Sequence, residues 1–140
     1  MMFPFVKDPS YVNSQPTDKA IRALESEYHI QFPEILYKYL VAFDGAKINL
    51  KNFKVSNYIC EVSLIVPICG EGYAFKKIVE NDRKDGFIDK SLYPLAMDRG
   101  GDLYYWSSKS KQVFLLFADD IENPFIVSDS VENFFNFLIE

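Results

Sequence analysis

An α+β fold, with a mostly antiparallel sheet flanked by an N-terminal helical pair and a C-terminal helix, is predicted by where each hydrophobic period falls. Apolar residues recur at helical spacing in two early segments and again at the very end. Between them, strand-like runs follow one another, separated by short polar or glycine-bearing turns. Strands grouped together with helices at the ends belong to α+β domains, whereas a doubly wound sheet would need regular alternation of strand and helix.

Residues 1–16 read as an irregular, proline-interrupted start to a single domain spanning 1–140. Thr17-Asp18 offers an N-cap and an early acid, and Ala20, Ile21, Leu24 and Tyr28 follow at helical spacing, so a first helix is expected over about 18–28. Phe32-Pro33 opens a second helix, with proline suited to its first turn. Ile35, Leu36, Tyr39, Leu40 and Phe43 form its stripe, and Asp44-Gly45 supplies a glycine stop. From Tyr58 to Pro67 the period becomes two, with Cys60, Val62, Leu64 and Val66 on one face and Glu61 and Ser63 on the other. That is one strand. A short helix is expected over Tyr73–Asp82, before a charged loop, Asn81 to Gly86. Strands then follow at Leu92–Met97, Leu103–Ser107 and Val113–Phe117, the last a continuous apolar run that suits a central strand covered on both faces. Asp119–Pro124 reads as a loop and Phe125–Val127 as a short extended piece. A closing helix carries Val131, Phe134, Phe135, Leu138 and Ile139, capped by Ser128, Asp129 or Ser130.

Composition narrows the class. Hydrophobic residues make up 49% of the chain, with 13 Phe and 9 Tyr, so it has the apolar content to fold without a disulfide or metal. No basic stretch followed by an apolar run marks the start, so no secretory signal is read and the two cysteines are expected as free thiols in a cytoplasmic, soluble protein. Cys60 falls in the strand pattern as a small core residue. No apolar run nears the ~20 residues that span a bilayer, so no membrane association is expected. A net charge of −5 argues against nucleic acid, whose phosphates demand lysine and arginine, and leaves room for a basic protein partner.

Few residues could carry chemistry. The sole histidine, His29, lies between the first two helices with no nucleophile elbow beside it, and one histidine with two cysteines does not make a zinc site. Gly70-Glu71-Gly72 lacks the third glycine of a dinucleotide fingerprint and reads as a turn. Of Tyr104, Tyr105 and Trp106, at least one is expected in the core, because strand neighbours alternate faces. Asp98 and Asp102 stand four apart around Gly100-Gly101. A glycosidase-like carboxylate pair would need roughly 5 Å between them, and a Ca²⁺ loop would need acids at every second position. Aspartates flanking a Gly-Gly pair between two apolar strands instead meet the needs of a turn with positive φ. No cofactor, metal ligand set or catalytic residue is read.

The order of these pieces resembles the SUKH superfamily, in the branch of the fungal cell-wall glucan-synthesis regulator (Smi/Knr type) and bacterial immunity proteins. Ile21-Arg22-Ala23-Leu24-Glu25 is similar to that family's first-helix signature, and Phe32-Pro33, Tyr37 to Leu40 and Asp44-Gly45 to its second helix. Met97-Asp98-Arg99-Gly100-Gly101-Asp102 resembles its later hairpin turn, and Ser130 to Phe134 the start of its final helix. The resemblance implies a non-enzymatic domain that binds a protein, as an immunity protein neutralising a toxin or as a regulatory scaffold. The bottom-up rival is a small carbohydrate-active enzyme using Asp98 and Asp102. For the binding reading, Asp98, Arg99, Asp102, Asp119, Asp120 and Glu122 are the expected partner-facing residues, meeting a basic toxin surface.

Overall fold

A computed structural model describes residues 3–70 and 74–140. The two early apolar periods form α1 (Thr17–Tyr28) and α2 (Glu34–Phe43). Ile21 and Leu24 of α1, and Ile35, Leu36, Tyr39 and Leu40 of α2, turn into the core as the period requires. His29 ends α1 in the left-handed region, at φ 56°, with its N–H donated to the Glu25 carbonyl. Thr17 does not cap α1. It is the first helical residue, Pro16 holds the cap position, and the buried Thr17 hydroxyl instead donates to Asp44 Oδ2 (3.2 Å). A carboxylate buried at the end of α2 competes for that hydroxyl and wins.

The expected strand at 58–67 is two. β1 (Lys51–Val55), which local pattern does not announce, pairs antiparallel with β2 (Tyr58–Val62). Ser63 then leaves that ladder: its N–H and hydroxyl both donate to the Met97 carbonyl, at 2.9 and 3.2 Å. β3 (Leu64–Ile65) so joins a different sheet. The exchange shifts the buried face by one residue, leaving Leu64 half-buried and Ile65 in the core.

After α3 (Phe75–Asp85) come β4 (Leu92–Met97), β5 (Leu103–Ser107), β6 (Val113–Phe117) and β7 (Asp120–Ser128), then α4 (Val131–Ile139). α3 runs three residues past its expected end, through the charged stretch, and stops at Gly86 with φ 76°. Charges suit the exposed side of a helix as well as a loop, and Arg83 and Lys84 favour its last turn. The expected start at Tyr73, and most of the Gly70-Glu71-Gly72 turn, lie outside the described residues. The expected loop at 119–124 is also corrected. Only the 118–119 turn separates β6 from β7, whose Asp120, Glu122, Asn123 and Pro124 are exposed at the sheet edge, where proline and charge are tolerated.

The fold is α+β. Five strands lie antiparallel in the order β3-β4-β5-β6-β7, with the β1-β2 hairpin separate. β5 is the middle strand, and β6 lies inside the sheet between β5 and β7. One face of the sheet carries Tyr104 and Trp106: Phe134 of α4 packs on Tyr104 (5.4 Å), and Phe32 and Tyr93 pack on Trp106 (5.8 and 5.4 Å). The other face carries Tyr105 with its cross-strand partners Pro94 and Phe114, and Leu103 opposite Leu116. Tyr105 is buried there too, its hydroxyl donating to Asp82 Oδ2 of α3 (2.8 Å). All three consecutive aromatics are therefore core residues. Ser130 is the cap of α4, its hydroxyl oxygen accepting the Asn133 N–H (3.0 Å).

Candidate partner-binding site

Asp98 to Asp102 join β4 to β5. The Asp98 N–H donates to the Asp102 carbonyl (3.0 Å) and the Gly101 N–H to the Asp98 carbonyl (3.2 Å). Asp98 Oδ1 accepts the Asp102 N–H (2.9 Å). Gly101 sits at φ 93°, whereas Gly100 has no positive φ, so only the second glycine meets the demand expected of both. Burial lifts the Asp98 carboxyl above its ordinary range, and the Asp102 N–H works against that rise.

Arg99 turns away from the tip and grips Glu61 of β2. Its backbone N–H and Nε donate to Glu61 Oε1 (2.9 and 3.0 Å) and its Nη2 to Oε2 (2.9 Å). That two-pronged ion pair, with the backbone bond, holds the Glu61 carboxyl below its usual value. The Tyr104 hydroxyl donates to the Glu61 carbonyl (2.8 Å), fixing the same residue from the sheet side. Beside it, the Tyr58 ring packs edge-on against Phe117 (5.5 Å) and at a tilt against Phe125 (5.5 Å).

The second acid of the motif reaches across the sheet. Asp102 Oδ1 accepts the Ala118 N–H (2.9 Å), so the 118–119 turn is drawn against the 98–102 turn. Asp98, Asp102, Asp119 and the first residue of β7, Asp120, thus gather at one end of the sheet. Asp119, Asp120 and Glu122 are exposed; Asp120 accepts one bond from the Asn123 amide (2.9 Å). Arg99 faces Glu61, and the acids carry the free charge.

Three neighbours of this site carry no local signal: Glu61, Tyr58 and Asp82. Glu61 stands on the polar side of its strand pattern, which marks it as solvent-facing without naming Arg99, 38 residues on. Asp82 sits in a stretch that reads as a loop. Among the described residues, no group of three His, Cys, Asp or Glu is placed to hold a metal. No helix among them is long and apolar enough to cross a membrane. Burial lifts the Cys60 thiol to about 11, as suits a core residue.

Comparison with curated proteins finds no match to this chain. The model of one family, SMI1 / KNR4 family (SUKH-1), nonetheless matches residues 15–136, from the start of the paired opening helices into the capped final helix, and the chain belongs to that family.

Proposed function

We propose that this chain is a protein-binding domain of the immunity type, a cytoplasmic protein that neutralises a toxin domain by direct contact through the acidic end of its sheet. One observation carries the choice of surface: the Ala118–Asp102 hydrogen bond unites two turns that are 16 residues apart, gathering Asp98, Asp102, Asp119 and Asp120. Glu122 extends the same charge along β7. Acids concentrated at one end of a molecule of net charge −5 favour a basic partner and speed its approach. The SUKH resemblance supports a domain that works by contact, without turnover.

Co-expression with a basic toxin domain, if one is encoded beside this chain, provides the test. The wild-type chain should protect growth, and Asp119→Lys/Asp120→Lys should fail to protect while remaining folded. Full protection by that variant moves the binding surface elsewhere. The SUKH resemblance also implies a second reading, a regulatory scaffold of the cell-wall glucan-synthesis type. Under that reading no neighbouring toxin is bound, and affinity capture from native cytosol returns cell-wall or signalling enzymes instead.

A further inference from the structure

The outer face of the sheet holds a recess of about 200 Å³ beside the acidic turns. Leu103, Tyr105 and Leu116 belong to its walls, three carboxylates (Asp82, Asp85 and Asp102) also line it, and no lysine or arginine does. Phe87 stands at its edge with 77% of its surface exposed, the second most exposed large apolar side chain described. The carboxylates are only half used. Asp82 and Asp102 each give one oxygen to a hydrogen bond within the protein, from Tyr105 and from Ala118. Burial raises the Asp82 carboxyl; the Tyr105 hydroxyl opposes that rise, Asp85 adds to it by like charge, and Arg83, which does not line the recess, opposes it in turn.

From this arrangement we infer that the recess receives an arginine side chain presented by the protein partner. It rests on the reading of the domain as a binder of a basic protein and supplies that contact with an anchor. An arginine stem covers the half-buried Leu103 and Ile121, which water otherwise partly wets, while its head stays polar. The planar guanidinium matches a carboxylate in two-pronged fashion and stacks on an aromatic face such as Phe87 offers. An apolar segment would bury the carboxylates without a counter-charge, which is costly.

The test needs no partner. The ¹⁵N-labelled protein is titrated with N-acetyl-arginine methylamide and, as the uncharged twin, N-acetyl-citrulline methylamide. The arginine compound should shift the amide signals of Asp82, Asp102, Tyr105 and Ala118 saturably, and citrulline should bind at least about threefold more weakly, the scale of one exposed ion pair. Asp85→Asn/Asp102→Asn, which keeps an amide oxygen for the Ala118 N–H, should weaken arginine by a similar factor. Equal response to citrulline would show that the recess does not read the guanidinium charge, and shifts at these amides with protein concentration alone would identify a second copy. Either overturns the inference, as does the absence of saturable shifts there. A saturable arginine response with no toxin protection would fault the immunity reading alone.

Discussion

Asp44 illustrates how one side chain can serve several distant segments. It is 3% exposed, and its carboxylate accepts from the Ile68 N–H (2.7 Å), the Cys69 N–H (3.0 Å) and the Thr17 hydroxyl (3.2 Å). Its carbonyl accepts from the Tyr11 hydroxyl (2.7 Å). Asp44→Ala strands the Ile68, Cys69 and Thr17 donors, while the backbone carbonyl that receives Tyr11 remains, and should lower stability by about 3 kcal/mol, read as a fall in the urea midpoint. A loss no larger than that of an ordinary surface change would show that water replaces the carboxylate. The two glycines of the 98–102 turn separate in the same assay. Gly101→Val forces a branched residue to φ 93° and should cost about 1–3 kcal/mol. At Gly100 a Cβ meets only Asp98 Oδ1 at an ordinary 3.5 Å, so Gly100→Ala should stay within about 0.5 kcal/mol of wild type. An equal cost at both positions would mean that both hold strained angles.

Among the elements, the β1-β2 hairpin depends most on partners outside itself. A two-stranded hairpin alone is marginal in water. Here Phe53 stacks on Phe137 of α4 (4.7 Å), and Glu61 is clasped by Arg99. Because that clasp depresses the Glu61 carboxyl in the folded state, its contribution is complete above the usual value of 4.5 and is lost as pH falls through the lowered one. The amide signal of Arg99, whose N–H donates to Glu61 Oε1, should therefore titrate with a midpoint below 4.5. Glu61→Gln should abolish the titration. A midpoint at or above the usual glutamate value would remove the clasp as the cause.

At the scale of the whole molecule, charge acts on encounter more than on fold. Asp119 and Asp120 are exposed, and neither carries an ion pair with a described residue. Asp119→Lys/Asp120→Lys should leave stability within about 0.5 kcal/mol. Under the proposed immunity function, association with a basic toxin domain should slow, and its dependence on salt should flatten, because attraction over a Debye length of about 10 Å at 0.1 M has been removed. Stopped-flow rates across a salt series would measure both. Unchanged rates would make these acids a solvated face with no part in recognition.

Sequence alone determined the α+β order, the opening and closing helices, and the strands at 92–97, 103–107 and 113–117, because period and turn chemistry act over a few residues. It also marked Asp98 to Asp102 as the turn between two of them. Tertiary structure decided what local pattern cannot reach. β1 offers only Phe53 and Val55 to a core and becomes a strand when β2 and α4 supply the surface. Ser63 switches sheets because the Met97 carbonyl is there to receive it, and Tyr105 on the outer face is met by Asp82 of α3. Residues 120–124 read as a loop, since an edge strand is free to be polar on its open side. The site follows the same division. Each acid was visible as a charged residue near a turn, but the contact of Asp102 with Ala118 and of Arg99 with Glu61 exists only once the chain has brought distant segments together.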